Sequence, residues 1–234
     1  MAPSVPKGLL AGALSLAMLC ASAVPAAAIS PAAVKEPGLG GEVASDDARK
    51  LANWVIGTRD HGDMPFLLVD KVEAKVFAFD SRGRLLGVSP ALLGLGKGDV
   101  SPEGIGERKL SAITPAERVT PAGRFVASLG QNLGGKEILW VDYEAALSLH
   151  RVDTASAVER RLQRLATPTA ADNRISYGCI NVPVTFYETV VGPLFRGRLG
   201  VVYILPEVSS LAAVFFPPGL RLASSTASAT AATE

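Results

Sequence analysis

The chain contains few of the residues from which metal centres are usually built. Its 234 residues include two cysteines and two histidines, which is thin for a structural zinc site with four ligands. An excess of positive charge is also missing, because 23 basic residues stand against 22 acidic ones, and this argues against a nucleic-acid-binding protein. The glycine-rich segment GLGKGD lacks the spacing of a phosphate-binding loop. We therefore expect no metal, no cofactor and no nucleic-acid partner.

The N-terminal region lacks a hydrophobic run long enough for a membrane span, which takes about 20 apolar residues. Its apolar run covers only residues 9–20, follows Lys7, and leads to the small-residue stretch 26–28. This order is typical of a secretory signal. We interpret residues 1–28 as a signal peptide and expect export to the periplasm or cell envelope, with no stable membrane insertion after cleavage. A retained anchor is the alternative.

Removal of the signal peptide leaves a single cysteine. Cys20 is lost with it, and Cys179 remains in the stretch RISYGCINVP. Paired cysteines form disulfides in an oxidising compartment, so an unpaired thiol there suggests a reactive residue. The alternative is a small buried apolar residue, which free cysteine often is.

Local sequence around Cys179 favours a reactive thiolate. We predict that the chain enters a helix here, with Asn181 as N-cap and Pro183 in the first turn. The positive end of the helix dipole would then stabilise the thiolate. Gly178 permits unusual backbone dihedrals and close approach of a substrate. The N–H groups of Tyr177, Gly178 and Cys179 are candidates for an oxyanion site.

Two histidines are available as the base. His150 ends ALSLH, a predicted strand, and a histidine at a strand end can pair with a cysteine on a nearby loop. His61 lies in the polar turn RDHGD, where we expect a solvated loop residue. We therefore predict that His150 is the partner of Cys179.

Strand-like patterns outnumber helical ones, and neighbouring strands are close in sequence. This predicts a mostly antiparallel β domain with a few helices over residues 65–206. A linker and a short helix capped by Ser45 precede it at 29–64, and a C-terminal extension with a disordered tail follows at 207–234. We predict strands at 65–70, 74–80, 84–89, 124–129, 137–143, 146–150 and 199–205, and a loop at 92–106. We also predict two helices. One begins at Thr154, with Ala155, Val158, Leu162 and Leu165 on one face, and the other begins at Val182.

Several of these segments resemble the L,D-transpeptidase family, whose catalytic module is the YkuD-type domain. SYGCIN is similar to the family signature S-x-G-C-[IV]-R. The hairpin PFLLVDKVEAKVFAFDSRGRL, the segment TPAGRF and the strand LSLH follow in the family's order. The resemblance covers residues 65–206.

The resemblance implies a β-sandwich-like fold and cysteine acyl transfer on peptidoglycan stem peptides. It makes Cys179 the nucleophile and His150 the general base. Tyr177 and Gly178 would supply oxyanion N–H groups, and Ser176 would support the loop or the histidine by hydrogen bonding. Two alternatives stay open: an L,D-carboxypeptidase or endopeptidase with the same site, and a non-catalytic wall-binding module. No protein partner is implied.

Departures from the family pattern concern the substrate side. Arg151 replaces the family glycine after the histidine, and Asn181 replaces the family arginine two residues after the cysteine. Arg151 and Arg174 are candidates to hold a substrate carboxylate, with Asn181 beside them. For Arg160, Arg161 and Arg164, on the extra helix, we expect a solvated face.

Overall fold

The computed structural model describes residues 38–216, so the predicted signal peptide and most of the C-terminal tail lie outside the described residues. The fold is mixed α/β and mostly β, as predicted: eight strands form a nearly closed, barrel-like sheet, and four helices, one of them interrupted by a π turn, accompany it within this range. The strands are β1 (Phe66–Asp70), β2 (Lys75–Phe79), β3 (Leu85–Pro90), β4 (Leu93–Gly94), β5 (Gly123–Gln131), β6 (Glu137–Asp142), β7 (Leu147–Arg151), β8 (Arg174–Ser176), β9 (Ile180–Val182) and β10 (Gly200–Ile204).

The large sheet has the strand order β3-β2-β1-β10-β5-β6-β7-β9. Its neighbours are antiparallel except for the β1–β10 and β7–β9 pairs. The two edges approach each other where Leu92, just after β3, exchanges two backbone hydrogen bonds with Asn181 of β9, at 2.8 and 2.9 Å. The short strands β4 and β8 form a separate parallel pair. Strand β8 of this pair leads directly into the loop that carries Cys179.

Alternating side chains of the strands place most of the core in two clusters. On β1, Leu67 and Val69 belong to one cluster, and Phe66 and Leu68 to the other, as the two-residue period of a strand requires. The first cluster packs against residues 184–195, and the second against α1 (Asp46–Thr58) and α5 (Leu211–Phe215). The described part of the apolar C-terminal segment therefore docks on the domain.

Helix α1 begins as predicted. Ser45 is its N-cap, and the Ser45 hydroxyl accepts a hydrogen bond of 3.2 Å from the amide of Ala48. The helix ends at Thr58, and the next residue, Arg59, adopts the left-handed conformation with φ +57°. The described residues contain no helix that is long and apolar enough to cross a bilayer.

The predicted helix from Thr154 is wrong in extent and in its apolar face. A 3₁₀ turn at Ala157–Glu159 is followed by Arg160 with φ +52°, and α2 covers only Arg161–Ala166. Val158 and Leu162 are 90% and 58% exposed. The segment is anchored largely by polar contacts of its arginines, and of the four predicted apolar positions only Leu165 is buried. The expectation of a solvated face holds for Arg160 but not for Arg161 or Arg164, which are half-buried and hydrogen-bonded.

The predicted N-cap role of Asn181 is also wrong. Asn181 continues strand β9, because its backbone pairs with Leu92 on one side and with His150 on the other. Pro183 occupies the N-cap position, and the helix runs through α3 (Val184–Phe186), a π turn (Tyr187–Val191) and α4 (Gly192–Phe195). Cys179 thus precedes a strand, and the argument from the helix dipole fails.

Candidate active site

Parallel pairing of β7 with β9 places the two predicted catalytic side chains on neighbouring strands. In this register Leu149 faces Ile180, and His150 faces Asn181. Cys179 immediately precedes β9, so its thiol lies beside the start of β7. The Ser148 hydroxyl is 3.5 Å from the Cys179 Sγ, and the Ala146 carbonyl accepts from the thiol at 3.6 Å. The thiol is half-buried.

Residues 176–179, here called the cysteine loop, form a tight turn between β8 and β9. The Ser176 hydroxyl donates to the Cys179 carbonyl at 2.6 Å and accepts from the Gly178 amide at 3.1 Å. Gly178 has φ +126°, and a Cβ there would lie 2.7 Å from the Val119 carbonyl oxygen. Glycine is therefore needed at this position for both conformation and space. Ser176 acts here as a support of the loop.

Thr120 supports the cysteine loop from behind. This residue is fully buried. Its hydroxyl donates to the Gly178 carbonyl at 2.7 Å and accepts from the Gly94 amide at 2.9 Å. The segment TPAGRF resembles a family motif, but the motif by itself assigns Thr120 no role. Its hydrogen bonds connect positions 26 and 58 residues away in the chain, which no local pattern indicates.

A buried charge cluster of Lys71, Asp99, Arg174 and Glu207 lies beneath Thr120. The Lys71 ammonium donates to the Thr120 carbonyl at 2.9 Å and to Asp99 at 2.8 Å. Arg174 donates to Glu207 at 3.1 Å and to the Lys71 carbonyl at 2.9 Å. The four side chains are at most 10% exposed. Burial raises the pKa of Asp99, but the hydrogen bonds from Lys71 and from nearby amides together lower it by more. The pKa therefore lies well below its ordinary value.

The Cys179–His150 pair favours the charged forms of both groups. Burial raises the pKa of the Cys179 thiol, but the interactions with His150 and Ser148 together lower it more strongly, and the pKa ends below its ordinary value. Burial likewise lowers the pKa of His150, while the interaction with Cys179 raises it above the usual range. Each shift promotes transfer of the thiol proton to the imidazole.

The imidazole of His150 is oriented through its other nitrogen. Nδ1 lies 2.7 Å from the Arg151 carbonyl oxygen, and a carbonyl only accepts, so Nδ1 carries the hydrogen. In the neutral ring Nε2 is then the basic nitrogen. The Asn181 amide nitrogen lies 3.3 Å from Nε2 and 3.2 Å from the Cys179 carbonyl. The backbone of residue 151 therefore fixes the tautomer needed for a base toward Cys179.

An open cavity of about 750 Å³ lies over Cys179 and His150. Arg151 lines it, but the guanidinium already bonds Glu188 at 2.5 Å and lies 3.6 Å from Glu137. Arg174, the other predicted carboxylate ligand, is committed to the buried charge cluster and is not among the described residues that line the cavity. The apolar part of the wall consists of Leu110, Leu133, Ile138, Trp140, Ala146, Val152 and Val184.

The predicted oxyanion amides differ in their hydrogen bonding. The Gly178 N–H already donates to Ser176. Within residues 38–216, the amides of Tyr177 and Cys179 donate no hydrogen bond. Tyr177 is 36% exposed, and the Arg118 guanidinium lies 3.9 Å from the centroid of its ring. The two amides without an internal acceptor are the ones available to a developing oxyanion.

His61 is not a solvated loop residue, contrary to expectation. It is 2% exposed, its Nδ1 donates to the Met64 carbonyl at 2.9 Å, and its ring packs against Phe66 at 5.0 Å between centroids. It is absent from the described lining of the Cys179 cavity. A buried hydrogen-bonded imidazole is satisfied by structure alone.

Between residues 38 and 216 no group of three or more histidine, cysteine, aspartate or glutamate side chains is placed to hold a metal ion. No protein-family model matches the chain, and a search of curated proteins finds no match.

Proposed function

We propose that this protein is an exported cysteine acyltransferase of the L,D-transpeptidase kind that acts on peptidoglycan stem peptides. The observation that carries the proposal is the half-buried Cys179 thiol, which lines an open cavity together with the oriented imidazole of His150 on the neighbouring strand. The order of the TPAGRF, LSLH and SYGCIN segments along the chain supports the family assignment. It also supports the finer fold that the family implies, a β-sandwich-like catalytic domain.

Acylation begins with transfer of the Cys179 proton to Nε2 of His150. The thiolate then attacks the carbonyl carbon of the third stem residue, and the C–S bond forms as the carbonyl becomes an oxyanion. We assign this charge to the amides of Tyr177 and Cys179, which have no acceptor within the described residues. Collapse breaks the C–N bond to the terminal D-alanine, whose nitrogen takes the proton from the imidazolium. The product is a thioester on Cys179.

Deacylation reverses these roles. An amine from a neighbouring stem gives a proton to Nε2 and attacks the thioester, the C–S bond breaks, and the proton returns to the thiolate. The result is a cross-link between the third residues of two stems. Water in place of the amine gives hydrolysis, so the acceptor decides between transfer and cleavage.

The cavity is suited to a peptide that carries both charges. Its polar wall contains Lys136 and Asp153, beside the paired side chains of Arg151 and Glu137. Opposite charges side by side match the ammonium and carboxylate groups of a diamino-acid stem. The apolar wall offers contact to the aliphatic part of such a side chain.

Intact-mass spectrometry with a carbapenem tests the site. We expect the mass of one acyl adduct on the wild-type protein and none on Cys179→Ala, with Cys179→Ser as a near-isosteric control. No adduct on the folded wild-type protein would refute the enzyme proposal in favour of a wall-binding module. Chromatography of purified muropeptides after incubation then separates cross-linked dimers from hydrolysis products, and a purely hydrolytic product pattern would contradict the transferase assignment.

A further inference from the structure

Arg161 reaches the candidate active site from the segment between β7 and β8. Its Nη1 donates to the Asn181 side-chain oxygen at 2.6 Å. Its Nε donates to Glu159 at 2.5 Å, and the Arg161 side chain is 13% exposed. A guanidinium held at two points and largely removed from water has little freedom to adopt another geometry. The contact with Asn181 is thus a fixed feature of the site.

This contact determines which way the Asn181 amide points. The amide group has one acceptor, Oδ1, and two donor hydrogens on Nδ2, whereas a guanidinium only donates. Oδ1 must therefore face Arg161. Nδ2 then faces the Cys179 carbonyl at 3.2 Å and Nε2 of His150 at 3.3 Å. A donor N–H directed at Nε2 favours the neutral imidazole and opposes protonation of this nitrogen.

We propose that Arg161 is a positioning residue that, by fixing the amide of Asn181, lowers the basicity of Nε2 of His150, so that the imidazolium readily gives its proton to the leaving amine. The inference rests on the proposed function, in which His150 is the base. Without Arg161 the amide keeps its donor contact with the Cys179 carbonyl but loses the partner of its oxygen, so rotation by half a turn becomes less costly. Its oxygen then faces Nε2 and accepts a hydrogen bond from the imidazolium, which becomes a poorer proton donor to the leaving amine.

Three charged or titratable groups face His150 from its surroundings. Cys179 acts from the cysteine loop, Arg161 from α2, and Asp153 from the segment after β7. The positive charge of Arg161 disfavours the imidazolium, and Cys179 favours it. Loss of Arg161 therefore acts in one direction through both charge and amide orientation: His150 holds its proton to higher pH.

Proton NMR of the untagged protein tests the proposal without any substrate. The chain has two histidines, so two ring C2–H signals are expected, and His150→Asn identifies the one from His150. In Arg161→Met we expect the His150 titration midpoint to rise by roughly half to one pH unit, the size typical of a lost nearby charge and hydrogen bond. The matched control is Arg160→Met, which removes the same charge from an exposed neighbour and should leave the midpoint unchanged.

Two further variants separate orientation from charge alone. Arg161→Lys keeps the charge and a donor, and it should restore most of the wild-type midpoint. In Asn181→Leu the amide is gone, so adding Arg161→Met should shift the midpoint much less than it does in the wild-type background. An unchanged midpoint in Arg161→Met, or equal shifts in both backgrounds, would overturn the inference. If Arg161→Met does not fold, Arg161→Lys and Asn181→Leu supply the same comparison, and an unchanged midpoint in Asn181→Leu is then the contradicting result. The proposed function fails separately, by the absence of an adduct on Cys179.

Discussion

Thr120 lies between two groups of ionisable side chains that differ in access to water. On one side, Lys71, Asp99, Arg174 and Glu207 are sealed and mutually paired, with two positive and two negative charges. On the other side, Cys179 and His150 line an open cavity. Buried charges are tolerated only when they are paired and hydrogen-bonded, so the first group is fixed in its charge state. The second group can exchange its proton.

This difference assigns the two groups to separate tasks. The buried charge cluster holds the segments that precede β5 and follow β10 against the back of the cysteine loop. The Cys179–His150 pair keeps a proton that can move, as general acid–base catalysis requires. Disrupting the first group should affect stability, and disrupting the second should affect chemistry.

The largest effect is expected for Cys179→Ala. Loss of the nucleophile should abolish both adduct formation and turnover, because no thioester can form. The thiol makes only long contacts, at 3.5 and 3.6 Å, so the melting temperature should stay close to that of the wild type. Retained turnover on muropeptides would show that another residue is the nucleophile.

The second effect concerns the base. His150→Gln should lower kcat/KM by about 10²–10⁴-fold, the usual contribution of a general acid–base residue. His61→Gln should leave the rate of carbapenem acylation nearly unchanged but reduce the melting temperature, because it disturbs the buried contacts to Met64 and Phe66. Stopped-flow measurements give the acylation rates of the two variants, and thermal unfolding gives their melting temperatures. The opposite ranking would make His61 the base.

The third effect lies in the buried charge cluster. Lys71→Met removes one partner from Asp99 and leaves its carboxylate buried, which typically costs about 3–5 kcal/mol. Lys50→Met is the control, since the Lys50 and Asp47 side chains are 68% and 43% exposed and such a surface pair is worth about 0–1 kcal/mol. Urea denaturation measures both. Equal unfolding free energies for the two variants would contradict the assigned structural role of Lys71.

Local patterns predicted those elements whose cause is local. The apolar runs that became β1, β2 and β10 and the Ser45 cap of α1 each depend on neighbours within a few residues. The division of the core into two faces also follows from the two-residue period of strands.

Local sequence patterns did not predict the elements whose structure is fixed by contacts with distant residues. The helix predicted from Thr154 reads as amphipathic, yet its arginines bond to Asn181 and to the Asp172 carbonyl. Asn181 has the residue type of an N-cap, but pairing with Leu92 and His150 retains it in a strand. A lysine such as Lys71 is normally expected at the surface. Its buried partner Asp99 is 28 residues away, so no local pattern indicates the pair. In the site, the sequence pattern named Cys179, His150 and Ser176, whereas Thr120 and Arg161 act through contacts visible only in the fold.

The smallest effect, at Thr120, tests whether the two groups are coupled. Thr120→Val keeps the shape of the side chain but leaves the Gly178 carbonyl and the Gly94 amide without their partner, at a cost of about 1–3 kcal/mol. Because Gly178 belongs to the cysteine loop, the same change should also slow acylation of Cys179, whereas Lys71→Met should leave the chemical step of the folded fraction nearly unchanged. Thr120→Ser retains the hydroxyl and is the control. Acylation rates measured well below the melting temperature separate the two cases: a normal rate in Thr120→Val would mean that the loop holds its geometry without Thr120 and that the two groups act independently.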